Sequence, residues 1–232
     1  MKLPPDTQRL ALSEPIMFRP LTVIIAAMQL SRPGIPAEEA TRYASALQYQ
    51  AKEHGFDPLT GVALIHRESR WFPRAVSPDG EDHGLAQIRA RFIGACRTDP
   101  DPVNAPSEAC EAVKRSLLDG VYNIRVMATL ITRNREHCRA KTGTALFDQW
   151  LASYEGRNYP GKDRWCQPAE ATREVIRYRA WLISKVDPPV PKPRATVQAG
   201  DERKRGKRRV TARRDPETKG TGRPTSKDTS RK

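Results

Sequence analysis

The chain lacks any long hydrophobic run. Its longest mostly apolar stretch, residues 21–30, has ten residues, whereas a membrane-spanning helix needs about 20. Arg19 precedes the stretch and a segment rich in Pro and small residues follows it, which is typical of a secretory signal. We therefore expect no transmembrane span and interpret residues 1–37 as a signal peptide and amino-terminal segment, with cleavage after Ala37. The residues before Met17 suit a signal poorly, so initiation at Met17 is open, and a short buried helix is the alternative for the apolar stretch.

Cysteine and histidine are scarce, with four residues of each. No Cys-x-x-Cys pair and no histidine at zinc-finger spacing occurs, so we expect no metal site and no cofactor. An even number of cysteines beside an export pattern favours two disulfides, with four free buried thiols as the alternative. Four cysteines allow three pairings, and we favour Cys96–Cys110 with Cys138–Cys166 because these close the shortest loops. The histidines expected to be structural or exposed are His66, His83 and His137.

The carboxyl-terminal part of the chain lacks the residues that build a core. Residues 187–232 contain no Trp, Tyr, Phe, Leu or Ile, and 15 Lys and Arg against 6 Asp and Glu give them +9 of the net charge of +14. Such a segment cannot bury enough surface to offset its chain entropy, so we expect it to be disordered. Without aromatic side chains for base stacking, specific nucleic-acid binding is the least favoured function. Salt-sensitive adhesion to anionic polymers is the favoured role of this basic tail.

Residues 38–186 form the predicted domain, and their pattern is helical, without repeats or alternating strand patterns. Capping residues and apolar spacings of three and four predict helices, and the Ser-Pro-Asp-Gly turn at 77–80 can carry short flanking strands. The predicted helices cover 37–54, 57–69, a segment from 107, 119–137, 144–154 and 169–185. The predicted inward-facing residues of the fourth helix are Val121, Ile124, Ala128 and Ile131.

Residues 64–88 carry the pattern that says most about function. Glu68-Ser69 ends an apolar helical run, a turn-rich stretch follows, and residues 84–88 read Gly-Leu-Ala-Gln-Ile. This ordered combination resembles the catalytic motif of the soluble lytic transglycosylase family, which runs Glu-Ser, Ala-x-Ser and Gly-Leu-Met-Gln-Ile. Residues 122–124 (Tyr-Asn-Ile) resemble the family's Asn-Ile helix start. Residues 152–156 (Ala-Ser-Tyr-Glu-Gly) resemble its Ala-Tyr-Asn-x-Gly.

The resemblance covers residues 55–180 and implies a lysozyme-like fold, a helical bundle around a glycan cleft with a small β-hairpin or loop element. It implies that Glu68 alone protonates the glycosidic oxygen of peptidoglycan and then deprotonates the muramoyl C6 hydroxyl, which forms 1,6-anhydro-MurNAc. Tyr154 would hold Glu68 in place. By the same resemblance the substrate-binding residues are Ser69, Gly84, Leu85, Gln87 and Tyr154. The loop carboxylates Asp79, Glu81 and Asp82 would then be solvated.

Glu68 itself can be read in two ways. A helix carboxyl end and apolar neighbours such as Trp71 or Phe72 raise a carboxyl pKa, as a glycosidase acid requires. An ion pair with Arg67 or Arg70 would instead lower the pKa and make Glu68 an ordinary surface residue.

The chain departs from the family at two positions near the expected cleft. Ala86 replaces a Met that packs near the saccharide in the family, so that subsite is expected to be roomier. Glu155 replaces an Asn, and it either raises the pKa of Glu68 by repulsion or faces solvent, which we favour.

The leading hypothesis is an exported, monomeric enzyme of the periplasm or the extracellular cell envelope that acts on the glycan strands of peptidoglycan. A hydrolytic goose-type lysozyme with the same Glu68 is its rival among the enzymes. A peptidoglycan-binding scaffold of a secretion or conjugation apparatus, without turnover, is the alternative outside the enzymes.

Overall fold

Local capping signals set the helix boundaries in the computed structural model, which describes residues 18–156 and 166–187, all within one unit. These residues form seven α-helices and one two-stranded hairpin, which confirms the mostly helical class. The helices are α1 Leu21–Ser31, α2 Ala37–His54, α3 Pro58–Ser69, α4 Glu108–Leu117, α5 Gly120–Thr142, α6 Phe147–Tyr154 and α7 Glu170–Val186. The antiparallel strands are β1 Asp82–His83 and β2 Ile88–Arg89, and the 3-10 turns Ala90–Phe92 and Gly94–Arg97 follow β2.

Short polar side chains start three of the helices as predicted. The Asp57 carboxylate accepts the N–H of Leu59 at the start of α3, and Ser107 and Asp119 do the same at the starts of α4 and α5. Each bond satisfies one of the backbone donors that a helix leaves without an intrahelical partner. Helix α2 ends at Gly55, whose φ of +65° suits glycine.

Helix α3 is the centre of the core. Nine of its twelve residues are buried, and α1, α2 and α7 pack around it. Helix α5 packs against α2 on one side and against α6 on the other. Residues 58–65 are buried on every side of the helix, and such a segment must be surrounded by other elements, which explains why α3 is central.

The stripe predicted on α5 is correct except at its first position. Ile124, Ala128 and Ile131 are fully buried, whereas Val121 is 36% exposed. A Cβ on the preceding Gly120 would lie 2.4 Å from the Tyr43 ring. Gly120 therefore packs closely against α2. Val121, turned by about 100° around the helix axis, points away from α2.

A buried charge cluster joins both ends of the described chain to α3. Arg19 donates from Nε and Nη2 to the two oxygens of Asp57 at 2.8 and 2.9 Å, and Arg179 donates from Nη2 to Oδ2 at 2.8 Å. Arg19 also donates to Asp187 at 2.5 Å. Asp187 therefore belongs to the folded unit, and the rest of the expected basic tail lies outside the described residues.

Helix α1 is the element that the sequence analysis placed outside the domain. Ile24, Ala27 and Met28 are fully buried in the common core, so the unit includes residues before 38, the expected start. The structure has the buried helix that was the alternative to a secretory signal. Cleavage after Ala37 would remove this helix together with Arg19. No helix in the described part of the chain is long and apolar enough to cross a bilayer.

Two disulfides fix the periphery of the helical core. Cys96–Cys110 ties the second 3-10 turn to α4, and Cys138–Cys166 ties α5 to the chain just before α7. The sequential pairing favoured from the sequence is the one present.

We predict that a chain beginning at residue 38 fails to fold cooperatively, whereas one beginning at residue 18 folds. Burying a side chain such as Ile24 or Met28 contributes about 1.5–3 kcal/mol, and removing one partner of a buried ion pair costs about 3–5 kcal/mol. These losses together approach the whole stability of a typical domain. Thermal unfolding followed by circular dichroism would test this, and equal melting temperatures for the two chains would contradict it.

Candidate active site

A cleft of about 620 Å³ opens where the carboxyl end of α3 meets the hairpin, α5 and α6. Its walls combine carboxylates, amides and hydroxyls with a few apolar side chains. The lining residues are Glu68, Asp82, Gln87, Ile88, Arg89, Arg91, Phe92, Leu130, Asn134, Ser153, Tyr154, Glu155 and Gly156.

Glu68 stands in the last turn of α3, and a strained turn fixes its position. Arg70 and Trp71 follow it with φ of 54° and 66°, a left-handed conformation that is unfavourable for residues with side chains. Trp71 holds this turn because its ring is fully buried and its indole N–H donates to Ser31 Oγ at 3.1 Å. Arg32 adds a hydrogen bond of 2.9 Å to the Trp71 carbonyl.

Burial raises the pKa of Glu68 from 4.5 to about 7, and the negative charges of Glu155 and Asp82 add to this effect. The Arg67 charge opposes it, but the Arg67 Nε lies 3.3 Å from Glu174 Oε2 on α7. Arg70 lies against His66. The two arginines have other partners, so Glu68 is a largely desolvated carboxyl that is about half protonated at pH 7.

Asn123 pins the hairpin to α5. This fully buried residue donates to the carbonyls of His83 and Leu117 at 2.9 and 2.8 Å and accepts the N–H of Ala86 at 2.8 Å. Gly84 has φ +78°, and a Cβ there would lie 2.2 Å from the Leu117 carbonyl oxygen. Gly84 is therefore required for this close internal contact.

The structure separates the expected substrate-binding residues into two groups. Gln87 and Tyr154 line the cleft with Glu68, whereas Ser69, Gly84 and Leu85 are buried among protein atoms and do not line it. Ser69 lies at the end of α3 and donates back to the helix, and Leu85 is fully buried in the core. Their place in the motif is explained by packing behind the cleft.

Gln87 supports the loop that carries it. Its side-chain amide donates to the carbonyls of Ala75 and Gly84 at 3.2 and 3.0 Å. Both N–H groups of the side-chain amide donate to protein carbonyls. The side-chain carbonyl oxygen of Gln87 is therefore the group that can accept a hydrogen bond from a bound molecule.

Tyr154 makes a different contact from the expected one. Its hydroxyl donates to the Ala86 carbonyl at 3.0 Å, because the loop at 84–88 lies directly over α6. Its single proton is therefore used in holding this loop to α6, and it does not donate to Glu68. Burial, followed by the charge of Glu68, raises the pKa of Tyr154 well above 10, so the phenol stays neutral.

Two carboxylates expected to face solvent lie in the cleft wall. Asp82 accepts from Arg89 Nε and Nη2 at 3.0 and 3.2 Å. Glu155 accepts from the Thr172 hydroxyl at 2.7 Å. The hairpin folds Asp82 inward and α7 holds Glu155 at the end of α6, which corrects the sequence interpretation of both residues.

The other two loop carboxylates lie outside the cleft lining. Asp79 is exposed, as expected, and the hydroxyl of Ser77 donates to it, which lowers its pKa. Glu81 is 15% exposed and forms ion pairs with Arg89 and Arg91, so the expectation that it is solvated is wrong.

Several lining residues were missed by the sequence analysis. Leu130 and Asn134 follow Asn123 by seven and eleven residues, a helical spacing that places all three on one face of α5. This spacing was the available signal. Ser153 donates to Asn134 Oδ1 at 2.5 Å and fixes the contact between α5 and α6. His66, His83 and His137 are absent from the cleft lining.

Comparison of the chain with protein-family models, with curated proteins and with solved structures gave no match. Within the described residues, no group of three or more His, Cys, Asp or Glu side chains is placed to hold a metal ion. The chemistry that this cleft offers is acid and base catalysis by a carboxyl group that carries its proton near neutral pH.

We predict that Glu68→Gln stabilises the protein at pH 8 but not at pH 4. The folded state binds a proton at Glu68 more tightly than the unfolded state, so the wild type loses stability as pH rises from about 4.5 to about 7. The neutral amide avoids this loss, and the gain at pH 8 should be about 1–3 kcal/mol. Urea unfolding at both pH values measures it. Glu53→Gln, at an exposed carboxylate of α2, is the control, and an equal gain there would contradict the prediction.

We further predict that Asn123→Ala destabilises the protein by about 2–4 kcal/mol. The change leaves two buried carbonyls and one buried N–H without their partner, and each such group costs about 1–3 kcal/mol. Hydrogen exchange should show faster exchange at the Ala86 amide than in the wild type. Unchanged protection of that amide would show that the hairpin is held by other contacts.

Proposed function

We propose that the protein is a peptidoglycan lytic transglycosylase with a lysozyme-like fold. The observation that carries the proposal is Glu68, a carboxyl with a pKa of about 7 at the end of a buried helix and in the wall of a polar cleft. The resemblance of residues 64–88 to the motif of that family supplies the substrate class. Gln87, another family position, lines the same cleft and supports the assignment.

The raised pKa suits a residue that must first donate a proton and then accept one. In the first step Glu68 gives its proton to the glycosidic oxygen, and the bond from that oxygen to C1 of the muramoyl sugar breaks. In the second step the Glu68 carboxylate takes the proton of the C6 hydroxyl, and the C6 oxygen bonds to C1. Glu68 ends as it began and no water is consumed. A group that titrates near the working pH can perform both steps.

The contacts of the two neighbouring carboxylates favour this single-residue scheme. Arg89 binds both oxygens of Asp82, and Thr172 binds Glu155. These contacts are typical of fixed negative charges that raise the pKa of Glu68, rather than of a general base that takes a proton from water. A hydrolase like goose-type lysozyme is the second candidate, because both carboxylates line the same cleft and hydrolysis requires a second carboxylate near the acid.

The compartment forms part of the proposal. Two disulfides persist in oxidising surroundings, which supports action in the periplasm or outside the cell, and we infer that the protein acts there as a monomer. The basic residues beyond 187 would then add salt-sensitive adhesion to anionic polymers of the envelope.

We predict that digestion of purified sacculi yields mainly 1,6-anhydromuramoyl ends, lighter than hydrolysed ends by the mass of one water. Glu68→Gln should lower the rate at least about 100-fold, since general acid–base catalysis contributes 10²–10⁴-fold. Glu53→Gln, at an exposed carboxylate of α2 outside the cleft lining, should retain full activity. Mass spectrometry of the released muropeptides measures both results.

Other outcomes of this digestion separate the alternatives. Reducing ends would identify a hydrolase, and Asp82→Asn and Glu155→Gln would then show which carboxylate activates water. Tight binding of sacculi without any release would support the scaffold. Full activity in Glu68→Gln would exclude Glu68 as the acid.

A further inference from the structure

Phe92 is an exposed aromatic residue in the same cleft as Glu68. Its side chain is 59% exposed and lines the cleft beside β2. Tyr154 also lines the cleft, but its hydroxyl is bound to Ala86 and its ring packs on the core. Phe92 therefore offers the cleft a free aromatic face.

The backbone that carries Phe92 is held firmly. Phe92 ends the 3-10 turn Ala90–Phe92, whose first residue is buried and donates its N–H to the Glu81 carbonyl at 2.9 Å. The N–H of Ile93 closes the turn on the Ala90 carbonyl at 2.8 Å. These bonds fix the direction in which the ring leaves the backbone.

The segment after Phe92 is anchored as well. Gly94, with φ +46°, packs so closely on α4 that a Cβ there would lie 3.1 Å from Val113 Cγ2. Two residues later, Cys96 is bonded to Cys110 of α4. With an anchor on each side, the ring stays exposed in the cleft, where a ligand that covers it would remove apolar surface from water.

The charges beside the ring are already paired within the loop. Arg89 binds Asp82 and Glu81, and Arg91 binds Glu81. These arginines are partly neutralised by their partners. The face of the Phe92 ring is therefore the main surface with which this loop can contact a ligand. An apolar face beside polar groups complements a pyranose ring, which has an apolar C–H face and a rim of hydroxyls.

We propose that Phe92 forms a sugar-binding subsite, in which one pyranose ring of the substrate lies with its C–H face on the phenyl ring. This inference rests on the proposed function only in taking the ligand to be a glycan. Phe92 contributes to binding of the strand and takes no part in proton transfer.

Steady-state kinetics on purified, uncrosslinked glycan strands test the subsite. Phe92→Ala should raise KM about tenfold, which corresponds to about 1.4 kcal/mol, and leave kcat nearly unchanged, the signature of lost uniform binding. Phe92→Tyr should retain the wild-type KM because the ring is kept. Phe92→Leu, apolar without a ring, should fall between the two.

Tyr49→Ala is the matched control, because Tyr49 is 61% exposed on α2 and is absent from the cleft lining. It should leave KM unchanged. An unchanged KM in Phe92→Ala, or the same rise in Tyr49→Ala, would overturn the subsite.

Binding without turnover separates this inference from the proposed reaction. Calorimetry with the hexamer of N-acetylglucosamine should show weaker binding by the double variant Phe92→Ala, Glu68→Gln than by Glu68→Gln alone. That result supports the subsite even if the wild-type protein cleaves no glycan. Equal binding by the two proteins, including no binding by either, overturns the subsite even if cleavage is observed.

Discussion

Asp57 places a negative charge inside the core, and the position of α3 depends on the two arginines that neutralise it. Arg19 comes from before α1 and Arg179 from α7, so the two ends of the described chain meet at one carboxylate. A buried charge without such partners would cost several kcal/mol. The same carboxylate caps α3. Glu68 lies eleven residues after Asp57, about 16 Å along the axis of α3. The cluster therefore fixes the position of Glu68 but is too far away to neutralise its charge.

Local signals were sufficient for most of the fold. Caps such as Asp57 and Ser107 and the stop at Gly55 gave the helix boundaries because they act on the backbone within one turn. Helix α1 could not be assigned in this way. A ten-residue apolar run after an arginine is common to a signal peptide and to a buried helix, and the pattern does not reveal that Arg19 contacts Asp57, 38 residues away.

The candidate site was partly predictable for the same reason. Glu68, Gln87 and Tyr154 were found through a motif, but the motif did not separate residues that face the cleft from those that pack behind it. Neighbours of Gln87 in the sequence, such as Leu85, are core residues. Asp82 lies in the cleft wall because Asn123 pins the hairpin to α5, and Phe92 follows the same hairpin into the cleft. That placement depends on contacts about 40 residues apart in the sequence, which spacing along the chain does not show.

The pKa of Glu68 shows how local and overall charge act differently. A net charge of +14 favours ionised carboxylates, yet the pKa of Glu68 rises to about 7. At physiological salt, charges beyond about 8 Å are largely screened, so distant basic residues have little effect. Desolvation and the nearby Glu155 and Asp82 act within the cleft, where screening is weak. Arg67 is the nearby cation, and its pairing with Glu174 reduces the amount by which it lowers the pKa of Glu68. The protein can therefore combine a net charge of +14 with a carboxyl that is about half protonated at neutral pH.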